Sequence, residues 1–202
     1  TPENIRKFHP NIIVSSTGSA PLLPPIAGLK DRIDNENHNI YSILGMISHI
    51  NDFPKDLKGK KVVVVGGGAV GLDVVEFFAD RNADISIVEM MDQIGRDLDP
   101  VSKNDTKIMM KKHNVHQLTK TALLEVKDSS FLVKGDGEPY ELPFEYGFVC
   151  LGMRAQGQLY QNLTEEFSSE DVEIMNIGDS QRARRIIDGT QEGRNILTIL
   201  EQ

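Results

Sequence analysis

The stretch from Lys60 to Glu89, KKVVVVGGGAVGLDVVEFFADRNADISIVE, constrains the fold of this chain more than any other. Val62 to Val65 are four consecutive β-branched residues, the pattern of a parallel strand covered on both faces. Gly66, Gly68 and Gly71 follow in G-x-G-x-x-G spacing. Val70, Val74, Phe77 and Phe78 then recur at helical spacing, so the turn opens a helix with one apolar stripe. Ala83 to Val88 predict a second strand, and Glu89 stands at its carboxyl end. Strand, glycine turn, helix, strand and terminal acid in that order describe a βαβ unit.

The glycines in this unit have separate physical roles. Gly66 permits a tight turn out of the strand, Gly68 lets backbone approach a pyrophosphate, and Gly71 lets the helix lie close to the sheet. The loop that also contains Gly67, Ala69 and Val70 leads into a helix N-terminus, whose free amides and positive dipole suit an anion. A carboxylate at Glu89 can accept from the hydroxyls of an adenosine ribose. Taken singly, the glycines also suit an ordinary strand-to-helix turn and Glu89 a solvated carboxylate; their order favours a dinucleotide site. NAD is expected rather than NADP, because a 2′-phosphate would meet Glu89 as a like charge and Met90 and Met91 supply no arginine to neutralise it.

Composition narrows the partners. A net charge of −8 over 202 residues argues against nucleic acid, whose binding relies on clustered Lys and Arg. No apolar run approaches the roughly 20 residues of a spanning helix, so no membrane insertion is expected. Cys150 is the only cysteine, which leaves no disulfide, no C-x-x-C pair and no iron-sulfur ligand set. It falls in the apolar run Phe148 to Leu151 and reads as a small buried hydrophobe, in keeping with a reducing cytoplasm. His113 and His116 lie close together but lack acidic or cysteine partners at ligand spacing, so no metal site is expected. Tyr140, Tyr146 and Tyr160 read as packing residues, and no side chain is arranged as a catalytic group. The chain opens on Thr1 and is expected to be a piece of something longer.

Asn11 to Ser15 predict a strand running into Ser16-Thr17-Gly18 and a rigid, proline-rich connection from Pro21 to Gly28. Ile43, Ile47 and Ile50 suggest a short helix over Ile40 to Ile50, and Val101 to His113 an amphipathic one. Val115 to Leu118 would be a third parallel strand. Ala122 to Val126, Phe131 to Lys134 and Tyr140 to Leu142 would form an antiparallel meander, and Tyr146 to Leu151 a returning strand that ends at Gly152. A nucleotide domain spanning 57–154 results. The flanks, 1–56 and 155–202, are too short to bury separate cores, yet each contains a strand; the second runs from Val172 to Ile177, before the Gly178-Asp179 turn and a helix from Arg185 to Gln202. The flanks are expected to pair with each other, making one outer domain interrupted by the inserted one.

This arrangement resembles the two-dinucleotide-binding-domain flavoproteins of the pyridine nucleotide-disulfide oxidoreductase superfamily. Ser16, Thr17, Gly18, Pro21, Pro24, Ile26 and Gly28 follow that family's A-T-G-x-x-P-x-x-P-x-I-P-G segment, with Ser16 and Ala27 departing from it. Gly71, Asp73 and Val75 stand where the family has G-x-E-x-A, Gly152-Met153-Arg154 is similar to its closing A-T-G-R, and Gly178-Asp179 matches its second flavin motif. The resemblance implies an α/β fold: a Rossmann-like NAD-binding domain with a parallel sheet and an antiparallel β-meander, inserted in a partial FAD-binding domain. It also implies that Asp179 faces the ribityl chain of FAD. Asp73 stays open between a group at the nicotinamide end and a solvated carboxylate in the first helical turn.

Ser180 to Arg185 and Asp92 to Leu98 look most like the C-terminal region of 2-enoate and 2,4-dienoyl-CoA reductases. That likeness implies an N-terminal barrel with FMN and a 4Fe-4S cluster elsewhere in the full-length protein, which could be a homo-oligomer. NADH would deliver hydride to FAD, feeding reduction of an activated C=C bond. No second glycine loop precedes Lys60, so FAD is expected to bind only with a missing upstream segment, and these 202 residues alone to show little turnover. A non-enzymatic NAD-sensing module and an S-adenosylmethionine-dependent methyltransferase remain the alternatives.

Overall fold

The computed structural model describes residues 1–200. In chain order it contains α1 (Pro2–Arg6), β1 (Ile12–Ser15), β2 (Ser19–Pro21), α2 (Leu29–Arg32), β3 (Ile40–Tyr41) and α3 (Ile43–Ser48). Next come β4 (Lys61–Val65), α4 (Ala69–Ala79), β5 (Asp84–Val88), α5 (Pro100–Lys112) and β6 (His116–Leu118). The meander strands β7 (Ala122–Val126), β8 (Ser130–Lys134) and β9 (Tyr140–Pro143) follow. The chain ends with β10 (Tyr146–Val149), β11 (Met153–Ala155), α6 (Gln158–Glu166), β12 (Glu173–Asn176), a 3₁₀ turn at Gly178–Ser180 and α7 (Ile186–Leu200). None of the described helices is long and apolar enough to cross a membrane. The chain forms two compact units, one of Thr1–Ala20 with the chain from Met153 onward, the other of Pro21–Gly152.

The Pro21–Gly152 unit is built on a parallel sheet of order β3-β10-β4-β5-β6. Alternation along β4 explains its unbroken valines. Val62 and Val64 join Phe148, Ile85 and Ile87 under α4, whose Leu72, Val74, Val75 and Phe78 are buried there. Val63 and Val65 belong to a second core with Leu29 of α2 and Leu123, Val126, Phe131 and Val133 of the antiparallel meander. Both faces of the strand are therefore covered, so neither needs polar residues. Phe53, Phe78, Tyr146 and Phe148 pack in stacked, tilted and edge-to-face pairs on the α4 side, with centroids 4.8 to 6.3 Å apart. Burying one such ring stabilises the fold by about 1.5–3 kcal/mol.

One expected element is corrected. Ile40 to Ile50 is not a continuous helix: Ile40 and Tyr41 add an edge strand beside Gly147 and Phe148, and the helix starts only after Ser42. Ile40 is fully buried in the meander-side core, whereas Ser42 caps α3 by accepting from the Gly45 amide. The sheet of this unit therefore begins upstream of the expected domain start at Leu57. The Pro21–Gly28 connection, expected to lie outside it, also belongs to the same unit and is tied to the meander by the Val126 amide donating to the Ala27 carbonyl at 2.8 Å.

In the other unit, β1 and β12 pair in parallel from Ile12 opposite Glu173 to Ser15 opposite Asn176, so the two flanks do meet as strands. The polar segment Gln156 to Ser169, for which the sequence suggested no element, contains α6, with Leu163 and Phe167 buried beneath it and the Arg6 guanidinium 4.8 Å from the Phe167 ring. Only Ser15, Leu163, Phe167 and Ser180 are buried among this unit's described side chains. Residues 201 and 202 of the expected last helix lie outside the described residues.

Candidate functional site

At the carboxyl end of β4 the chain turns through Gly66, with φ +109°, while its amide donates to the Val88 carbonyl at 2.8 Å. A Cβ here would lie 2.1 Å from the Cys150 carbonyl oxygen. A Cβ on Gly71 would lie 1.9 Å from the Gly66 carbonyl oxygen, so the first turn of α4 rests directly on the loop. Gly68 occupies the N-cap of α4 and has open space where a Cβ would point. No side chain caps this helix, and its first amides are left to another partner.

Glu89 bridges this loop to the strand exit. Its Oε2 accepts from the Gly67 amide at 2.6 Å and its Oε1 from the Met91 amide at 2.7 Å. The backbone on either side is fixed as well: the Glu89 amide donates to the Leu118 carbonyl, and the Thr121 amide to the Glu89 carbonyl, both at 2.9 Å. The carboxylate is held by two main-chain donors, and each oxygen keeps a lone pair for an outside hydroxyl.

Around these groups lies a cavity of about 610 Å³. Its lining includes Gly66, Gly68, Ala69 and Val70 of the loop and helix start, Glu89, Met90, Thr121 and Ala122, and Leu22, Pro24 and Ile26 with Cys150, Leu151 and Gly152. Gly152 has φ +104°. Burial pushes the Cys150 thiol up to about 12, with the Asp73 carboxylate adding to the effect, so at neutral pH it is an uncharged packing group. The structure thus brings Gly66, Gly68, Ala69, Val70, Glu89 and Gly152 around one space, with Gly67 and Gly71 shaping it from behind.

Asp73 is not among the lining residues. It is solvent-exposed and borders a separate groove with Glu76 and Asp105, and its carboxyl is pushed above the usual range by partial loss of water. The contribution of Leu22, Pro24 and Ile26 was missed in the sequence, where the prolines signalled only a rigid connection. Their repeated apolar character within a proline-rich run was the available signal. The contact between Glu89 and Gly67 was likewise invisible, because only the parallel pairing of β4 and β5 brings the two together.

Thr17, Gly18, Gly178 and Asp179 are found in the other unit. Thr17 Oγ1 donates to the Gln156 carbonyl at 2.7 Å, and Gly18, at φ +73°, accepts from the Gln156 amide. Asp179 accepts from Ser19 Oγ at 3.1 Å and from the Arg184 amide at 3.1 Å. The Gly178 amide donates to Glu192 at 2.6 Å, and Glu192 is paired with Arg184, which holds its carboxyl below the usual range. These groups are bonded to other residues of the same unit, and the unit has no glycine-rich phosphate loop among its described residues. By themselves they do not fit a flavin, whereas the uncapped helix, the glycine cradle and the anchored carboxylate of the first site fit a dinucleotide.

The chain matches the family model described as pyridine nucleotide-disulphide oxidoreductase over residues 5–175. It belongs to that family. An NADH oxidase from Thermoanaerobacter brockii is 26% identical over 192 residues, covering 95% of this chain and 28% of that protein. A cinnamate reductase from Clostridium sporogenes is 23% identical over 188 residues, covering 92% of this chain and 26% of its own. Among solved structures, a 2-naphthoyl-CoA reductase complex superimposes with a TM-score of 0.77 at 21% identity, over 96% of this chain and 27% of that one. This pyridine nucleotide-disulphide oxidoreductase chain therefore spans little more than a quarter of the length of these relatives.

Proposed function

We propose that this chain is the NADH-binding module of a longer flavin-dependent oxidoreductase. The observation that carries the reading is Glu89, pinned by the Gly67 and Met91 amides and lining the same cavity as the uncapped N-terminus of α4. The amides at the start of α4 would hold the diphosphate, and Glu89 would accept from the ribose hydroxyls. A bound reduced nicotinamide supplies hydride. Leu22, Ile26 and Leu151 give the cavity an apolar lining, and the protonated Cys150 thiol adds no competing nucleophile. Because both carboxylate oxygens are tethered to main chain, Glu89 cannot swing away from a 2′-phosphate, which favours NADH over NADPH.

In this reading, the unit containing Thr17, Gly18, Gly178 and Asp179 is part of a split FAD domain completed by chain beyond these 202 residues, and the nucleotide domain is inserted in it. The cinnamate reductase among the relatives supports an activated C=C bond as the final acceptor. FMN and a 4Fe-4S cluster in other domains and a cytoplasmic setting complete the proposal. The family match leaves the methyltransferase alternative without support. Calorimetric titration of the chain and of Glu89→Ala with NADH and NADPH tests the binding claim. We expect wild-type protein to prefer NADH by about tenfold or more and Glu89→Ala to lose most of that preference. Tighter NADPH binding by the wild type, or an unchanged preference in the variant, would refute it.

A further inference from the structure

Met90 is a second feature of the dinucleotide cavity, and it carries a different chemistry. The chain has seven methionines, of which only Met90 and Met91 are exposed, at 68% and 39%. Of the seven, only Met90 lines the cavity. Its neighbours are fixed: the Glu89 carboxylate accepts from the Met91 amide at 2.7 Å, and the Met91 carbonyl accepts from the Lys120 amide at 2.8 Å. The backbone is therefore pinned on both sides of a flexible, polarizable thioether at the adenosine side of the cavity, next to the carboxylate assigned to the ribose.

We propose that Met90 is a peroxide-sensitive modification site whose oxidation loosens the coenzyme, an inference that rests on the dinucleotide reading of this cavity. The reduced thioether offers a soft apolar surface to the face of an adenine ring. Hydrogen peroxide is the oxidant: a sulfur lone pair attacks one peroxide oxygen, the S–O bond forms as the O–O bond breaks, and the other oxygen leaves as water after proton transfer. Sulfur loses two electrons and peroxide gains them. The product is a polar sulfoxide that draws water to the ring face and adds a second acceptor beside Glu89. A dithiol, acting through a methionine sulfoxide reductase, returns two electrons to the sulfur, is itself oxidised to a disulfide, and the oxygen leaves as water, which restores the site. Cys150, the other sulfur at the cavity, is buried and held protonated, so it does not compete for the oxidant.

The test uses the 202-residue chain and Met90→Leu, each titrated with NADH before and after limited hydrogen peroxide, with peptide mass spectrometry locating the added oxygen. We expect Met90 to gain oxygen ahead of the buried methionines and the wild-type dissociation constant to rise about fivefold. Methionine sulfoxide reductases should reverse that rise. Met90→Leu, whatever its starting affinity, should give the same constant before and after peroxide. Full oxidation of Met90 with unchanged NADH affinity would overturn the proposal and leave the dinucleotide reading standing. An equal loss of affinity in Met90→Leu would assign the effect to another residue and also overturn it. Failure of the untreated protein to bind NADH would remove the underlying reading and this proposal together.

Discussion

The two units treat their site residues in opposite ways. In the Pro21–Gly152 unit a parallel sheet is covered on both faces by apolar cores, and the groups at its carboxyl edge are held by main chain while still facing open space. In the other unit, built around a two-stranded parallel pair, Leu163 and Phe167 are the only buried apolar side chains among the described residues, and Gly178 and Asp179 are taken up by Glu192, Ser19 and Arg184 of the same unit. A core fixes a backbone, and only a fixed backbone can leave donors and acceptors unspent at a stable geometry. Parallel sheets are ordinarily buried on both faces.

The sharpest way to break this contrast is at the glycine cradle. Gly71→Val should be the most damaging change, because its Cβ would enter the Gly66 carbonyl and neither partner is a movable side-chain end. It should cost about 3 kcal/mol or more in thermal unfolding and abolish measurable NADH binding. An unaltered melt would mean that α4 does not rest on the loop. Next in size is a paired comparison of cores. Phe148→Ala, at a fully buried ring, should cost about 3–5 kcal/mol in denaturant unfolding, and Val14→Ala, at a half-exposed strand position, less than about 1 kcal/mol. Comparable losses would erase the distinction between the units.

Smaller effects sharpen the picture through pH. Hydrogen bonding to Arg32 holds the Asp128 carboxyl below the usual range, and Lys127 and Ser130 do the same for Glu141. A depressed folded value means that each contributes stability above its unfolded value and loses it as pH falls through the folded one. Asp128→Asn should therefore lower the melting temperature slightly at neutral pH and leave it unchanged in acid below the folded value, where both states are protonated. Asp73 carries the opposite sign. Partial loss of water raises its carboxyl, so the ionised form is penalised once pH rises through the folded value. The smallest expected effect is thus a slight rise in melting temperature for Asp73→Asn at neutral pH, vanishing in acid. A fall at neutral pH would indicate that the helix dipole outweighs desolvation there.

The βαβ unit was legible because its signals are local: four valines, a glycine spacing and a helical stripe all lie within one segment. The meander was legible for the same reason, its strands being separated by clear turns at Asp128-Ser129 and Gly135-Asp136-Gly137. Short elements whose existence depends on distant partners were not. Ile40 and Tyr41 become a strand only because Gly147 and Phe148 lie beside them, and α6 combines a polar surface with one buried residue, Leu163, and a buried C-cap, Phe167. At the site, residue types identified the glycines and Glu89, while the cavity walls at Leu22, Pro24 and Ile26 depend on the return of a connection that local sequence leaves undefined.

Amide hydrogen exchange of the chain with and without saturating NADH tests the central claim most directly, because it reads both units at once. Slowed exchange over Gly67–Gly71 and Met90–Leu123, with no change over Gly178–Glu192, is the predicted result. Protection confined to Gly178–Glu192, or no protection at either segment, would contradict a dinucleotide held by the glycine cradle and Glu89.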